Sequence, residues 1–155
     1  KIHEVFAPIL RKPDQLTSEE WDIMKTHPIK SAELAQHVSQ LKDVVPALPH
    51  HHENWDGTGY PDGLAGEIIP LYARVIMFAD TIDAMTTDRP YRGALDEAAV
   101  RAELVRMRGR QFDPRICDTL LSSPYFGQIF ERRPLRATPR VIAGDLSSNR
   151  IRLRA

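Results

Sequence analysis

A single cysteine, Cys117, stands in the 155 residues, so an internal disulfide and a CxxC metal knuckle are both excluded, and such usage suits a reducing cytosol. No apolar run approaches the ~20 residues that a bilayer-crossing helix needs, and the opening KIHEVFAPIL lacks the layout of a signal peptide. Net charge is lacking as well. Lys plus Arg number 21 and so do Asp plus Glu, which removes any global argument for nucleic acid or an anionic membrane as a partner. These absences describe a cytoplasmic module with no membrane span.

The length suits one domain of ordinary size with a short appendage. Residues 1–131 carry 14 basic and 20 acidic side chains, whereas 132–155 carry seven arginines against Asp145 alone. No aromatic residues interleave those arginines, as a single-strand binder would need, so the tail reads as a solvated or acid-paired surface. The division expected is a domain over 1–130 and a basic tail over 131–155. Because residue 1 is Lys rather than Met, the sequence reads as a piece of something longer.

Helical signals dominate. Thr17 and Glu20 in TSEEWDIM form a capping box, with Trp21 and Met24 on one buried face. Pro28 opens a second helix over PIKSAELAQHVSQL, with an apolar stripe of Ile29, Ala32, Leu34, Ala35 and Val38. A third segment, DVVPALPHHHE, is helical at its end, with Pro46 and Pro49 kinking or delaying it. Pro70 opens the longest apolar helix, PLYARVIMFADTIDAM; Asp96 caps DEAAVRAELVRM, and Asp113 with Pro114 starts PRICDTLL. Two β-prone pieces around a DLSSN turn allow a short terminal hairpin in PRVIAGDLSSNRIRLRA. The fold class expected is an all-α bundle with long loops.

Three of the six histidines stand side by side in HHHENWDGTGYPDG, residues 50–63. Neutral imidazole is the commonest protein ligand for divalent metals, and carboxylates complete such sites. Neighbouring helical residues diverge by ~100°, so two adjacent histidines serve two nearby ions better than they chelate one. The candidates are His51 and His52, with His27 in KTHP and Asp80 in FAD, and His50 is the odd one out. A capping histidine or a backbone-satisfied aspartate is the competing reading for any one of them, weakened by three in a row. The loop is neither a phosphate cradle nor an EF-hand: it follows histidines rather than a strand, contains no GK[ST], and its twelfth position from Asn54 is Ala65.

HHENWDGTGYPDGL resembles the HHExxDGxGYPxGL signature of HD-GYP domains, the cyclic di-GMP phosphodiesterase branch of the HD metallophosphohydrolases. LRKPDQLTSEEWDIMKTHP upstream, and IPLYARVIMFADTIDAMTTDRPYR and GRQFDP downstream, agree in order, over about residues 1–120. The resemblance implies an HD-domain-like helical bundle that hydrolyses cyclic di-GMP to linear pGpG, with GMP as a further product. It places His27, His51, His52 and Asp80 at metal-ligand positions, for two or three divalent ions. With nitrogen and oxygen donors and no thiolate, Fe or Mn is favoured, then Zn, Ni or Co. It places Tyr60, Asp83, Arg89 and Arg92 in the nucleotide pocket, where arginine forks suit phosphate or guanine edges and the tyrosine ring offers a face to a base. Asp83 follows Asp80 by one turn, so both can point into one site. The alternative is an inactive module that binds the nucleotide or docks a diguanylate cyclase through the GYP loop.

One departure matters. Family members carry HDxxK, and this sequence starts at the Lys of that motif, Lys1, whose role would be to offset charge developing on the phosphate or the leaving oxygen. His3 and Glu4 are no shifted substitute, because no Lys stands three residues after Glu4. The expectation is that the His-Asp pair lies upstream of Lys1, a naturally degenerate domain being the alternative.

Overall fold

The computed structural model describes residues 2–10, 12, 14–88 and 92–131. Among the described residues seven α-helices follow one another: α1 Ile2–Leu10, α2 Ser18–Met24, α3 His27–Ala35, α4 Leu71–Thr86, α5 Glu97–Met107, α6 Pro114–Ser122 and α7 Gln128–Glu131. Between α3 and α4 the chain makes three 3₁₀ turns, Ser39–Leu41, Val45–His50 and Gly66–Ile68. The described residues hold no strand, and the fold is all-α, as the sequence indicates. None of their helices is long and apolar enough to cross a membrane. Lys1, Arg89 and the basic tail from residue 132 on, with its proposed hairpin, lie outside the described residues.

Local chemistry explains the helix starts. The Thr17 hydroxyl accepts from the Glu20 amide at 3.3 Å while the Glu20 carboxylate accepts from the Thr17 amide at 2.7 Å, a reciprocal cap on α2. Asp96 accepts from the Ala99 amide and Asp113 from the Arg115 amide, capping α5 and α6. Pro28 sits in the first turn of α3, where its missing N–H costs nothing.

Three readings of the sequence change. The helix expected to run through PIKSAELAQHVSQL ends at Ala35, where the chain turns into the extended β-branched Val38. Ile29, Leu34 and Val38 of its supposed buried stripe are exposed, and only Pro28 and Ala35 are buried in α3. The α2 helix likewise buries none of its residues fully. The segment ahead of the histidines is 3₁₀ rather than α, because Pro46 and Pro49 remove two amide donors from a six-residue stretch.

The core gathers Met77, Phe78, Ile82 and Met85 of α4, Val100 and Leu104 of α5, Cys117 of α6, and Phe112 and Phe126 from the connections. Phe78 and Phe112 stack with centroids 4.5 Å apart. A smaller cluster of Ala47, Ile69 and Ala73 fastens the 3₁₀ stretch to the start of α4. That stretch also packs against α3. It therefore delivers its terminal histidines to the place where α3 begins.

Candidate metal centre

His27 opens α3, and His51 and His52 form the turn that follows the 3₁₀ stretch, so packing of that stretch on α3 brings three imidazoles into one cluster. One ligand atom from each lies within 4.8 Å of the others. Ring centroids are 4.8 Å apart for His27 and His52, 5.3 Å for His27 and His51, and 4.2 Å for His51 and His52.

Hydrogen bonds fix the tautomers. His27 Nδ1 donates to the Met24 carbonyl at 2.7 Å and His51 Nδ1 to the Leu48 carbonyl at 2.6 Å. A carbonyl only accepts, so in each neutral ring Nε2 keeps its lone pair. An imidazole tied by one nitrogen to a carbonyl and presenting the other is the arrangement that orients metal-ligating histidines. His52 Nε2 stands 3.0 Å from His27 Nε2, while its Nδ1 is buried with no hydrogen-bond partner. Burial, then the neighbouring His51 and His27, push the pKa of His52 down to about 3. Burial likewise lowers that of His51, with the bond to the Leu48 carbonyl and the charge of Asp80 opposing it. Both rings are thus neutral donors at physiological pH, and the set fits divalent cations of the nitrogen-preferring kind.

Asp80 lies on α4, exposed, and outside this group of three. Its charge nevertheless reaches the site, raising the pKa of both His51 and Tyr60. His50 turns elsewhere: its Nδ1 is 3.4 Å from the Asp62 carboxylate, in a group with Glu53 and Asp62.

The GYP loop roofs the histidines. Tyr60 stacks on His52 with centroids 5.0 Å apart and planes 20° from parallel, and Trp21 meets the tyrosine edge-on at 6.1 Å. Burial, with the charge of Asp80 second, pushes the Tyr60 phenol up, so it stays protonated. The Tyr60 amide donates to the His52 carbonyl at 3.1 Å. Gly59 is required by proximity: a Cβ there would stand 2.2 Å from the Asn54 nitrogen and 2.5 Å from the His52 oxygen. Asp56 accepts from the amide and hydroxyl of Thr58, an Asx turn that folds the loop back.

Asp83 borders an apolar groove of about 480 Å³ formed by α4, α6 and α7 and lined by none of the histidines. Its carboxylate accepts from the Thr87 hydroxyl at 3.4 Å. Arg92 directs Nη2 to the Ala84 carbonyl at 2.7 Å, near the end of α4. Sequence reasoning missed Glu53, whose buried carboxylate holds the loop, although the E of HHE marked it. It also read Asp113 only as a cap. The structure adds an ion pair from Arg74 Nη1 at 2.7 Å, with the guanidinium 5.8 Å from the centre of the Trp55 ring.

A family model described as "HD domain" matches residues 4–116. The chain is 47% identical over 115 residues to a cyclic di-GMP phosphodiesterase response regulator of Xanthomonas campestris, a match covering 73% of this chain and 30% of that protein. It is 36% identical over 117 residues to a 3′3′-cGAMP-specific phosphodiesterase of Vibrio cholerae, covering 73% of this chain and 22% of that one. The chain thus spans less than a third of the length of these relatives. The crystal structure of a cyclic GMP-AMP specific phosphodiesterase of V. cholerae superposes with a TM-score of 0.53 at 17% identity, over 86% of this chain and 38% of that one, and supports the fold.

Proposed function

The chain belongs to the HD domain family and, through HHENWDGTGYPDGL, to its HD-GYP branch; from this premise we propose that the intact protein is a cytoplasmic, metal-dependent phosphodiesterase that hydrolyses cyclic di-GMP to linear pGpG, with GMP as a further product. The observation that carries this reading is the convergence of His27, His51 and His52, two of them tied by Nδ1 to carbonyls, beneath a tyrosine face. The activities for which the relatives are named support the substrate class.

His27, His51 and His52, with Asp80 as carboxylate, are the residues to hold two or three divalent ions, Fe or Mn ahead of Zn, Ni or Co. Such ions would supply Lewis acidity, bringing the pKa of water towards neutrality and offsetting charge on the phosphoryl oxygens. Hydrolysis adds one water across a P–O3′ bond: its oxygen ends on phosphorus and a proton on the departing 3′ oxygen. Tyr60 offers its ring to a guanine, Asp83, Arg89 and Arg92 complete the nucleotide pocket, and Lys1 offsets charge at the phosphate or the leaving oxygen.

The test is metal analysis of the intact protein together with chromatography of cyclic di-GMP digests. Bound metal and pGpG formation, both lost on chelation and both lost in Asp80→Ala, are expected. Turnover by fully metal-free protein would overturn the reading. Binding without turnover would instead support a nucleotide-sensing module that docks a diguanylate cyclase through the GYP loop.

A further inference from the structure

Glu53 is 2% exposed, a rare burial for a carboxylate outside an ion pair or a metal. Both of its oxygens are engaged across the loop, Oε1 accepting from the Asp62 amide at 2.7 Å and Oε2 from the Leu64 amide at 3.0 Å. The segment it grips has no regular structure to pair those amides, and buried N–H groups without acceptors are costly. Bonds from amides to a carboxylate are shorter and stronger than neutral ones. Glu53 also directly follows His51 and His52, so one three-residue turn carries two of the imidazoles and the anchor of the loop above them. Tyr60, two residues before the first amide that Glu53 grips, is held by its own amide to the His52 carbonyl and by the close approach of Gly59 to the same turn.

We propose that Glu53 is a positioning residue of the nucleotide pocket: its carboxylate locks residues 62–64 so that the Tyr60 ring stays stacked over His52, where a base is to be received. The inference rests on the phosphodiesterase reading for its ligand but not for its geometry. The two N–H donors are met by two separate carboxylate oxygens. Glutamine at 53 would offer one carbonyl oxygen and turn an NH2 group against the second amide, freeing one side of the clamp while leaving His27, His51 and His52 in place.

The experiment is Glu53→Gln in the intact protein, read by amide hydrogen exchange at Asp62 and Leu64, by metal content, and by the KM and kcat for cyclic di-GMP. Exchange at one or both amides should accelerate on the order of tenfold or more, KM should rise by about tenfold, and kcat and metal content should move by less than about threefold. Glu53→Asp keeps the charge and both acceptors on a shorter stem and should give intermediate exchange and KM. If Glu53→Gln fails to fold by circular dichroism, the aspartate variant decides alone. Unchanged protection of both amides, or metal and kcat lost with KM unmoved, would overturn the proposal. Should the wild-type protein turn over no cyclic di-GMP, the phosphodiesterase reading fails while the exchange measurement still decides whether Glu53 holds the loop.

Discussion

His52 and Tyr60 lie nearly parallel, centroids 5.0 Å apart, so the ring that roofs the histidine cluster is also the ring proposed above to receive a base. Stacking needs the aromatic face and not the phenol, whose proton is held firmly by burial. Tyr60→Phe should therefore keep nucleotide affinity close to wild type, whereas Tyr60→Ala should lose about 1–3 kcal/mol of binding. Titration calorimetry with cyclic di-GMP checks both. Equal, large losses in the two variants would make the hydroxyl, and not the face, the recognition element.

Acid should destabilise the metal-free protein through its histidines before its carboxylates titrate. Below an unfolded-state pKa of about 6.5, the unfolded chain takes up protons at His51 and His52. The folded chain resists until about 3 at His52, with His51 also held down by burial. The unfolded state therefore binds more protons across that window, and stability present above about pH 6.5 is lost as pH falls, by up to ~1.4 kcal/mol per pH unit for each ring. Urea unfolding of chelator-treated protein at about pH 7 and about pH 5 should show a lower midpoint at the acid value. A midpoint that rose on acidification would mean that a buried anion, not burial, governs the cluster.

What the sequence disclosed follows from the range of the interactions. The caps at Thr17, Asp96 and Asp113 span two or three residues and were legible as local patterns. The meeting of His27 with His52 joins positions 25 residues apart, and there the HD-GYP resemblance supplied what periodicity could not. Periodicity misled at Ile29, Leu34 and Val38, whose spacing suited a buried face that the described residues leave exposed. Glu53 was invisible as an anchor because its partners are backbone amides nine and eleven residues away, which no side-chain pattern announces. Arg74 and Asp113, 39 residues apart, meet only because α4 and the turn before α6 share a core.

Arg92 ties the connection after α4 to the Ala84 carbonyl, one of the last four of that helix, which have no partner within it. One Nη atom is committed there, and on the proposed reading the rest of the fork meets a phosphate or guanine edge. Arg92→Ala should therefore lower stability by about 1 kcal/mol and raise the KM for cyclic di-GMP together, with metal content unchanged. Arg92→Lys, which keeps charge but loses the fork, should recover part of the KM. A melting temperature that falls while KM stays constant in both variants would confine Arg92 to holding the helix end.

The Arg74–Asp113 pair is the most exacting stability test because it is buried and shared. Their side chains are 15% and 2% exposed. Asp113 Oδ2 takes Arg74 Nη1 while Oδ1 takes the Arg115 amide, so one carboxylate joins α4 to the start of α6. Next to it, the Trp55 amide donates to the Gln111 carbonyl and the Asp56 amide to that of Arg110, so the same corner carries the loop that roofs the histidines. Arg74→Met preserves much of the stem but leaves Asp113 buried without its cation, which should cost about 3–5 kcal/mol. Asp113→Asn leaves the guanidinium unpaired in turn. Combining the two removes both charges, so the double variant should lose less than the sum of the single losses by about 1–3 kcal/mol. Urea unfolding of the four proteins gives the cycle directly. Losses that add within about 0.5 kcal/mol would show that the two charges are solvated independently, and the pair would then not be what holds the α4–α6 corner under the loop.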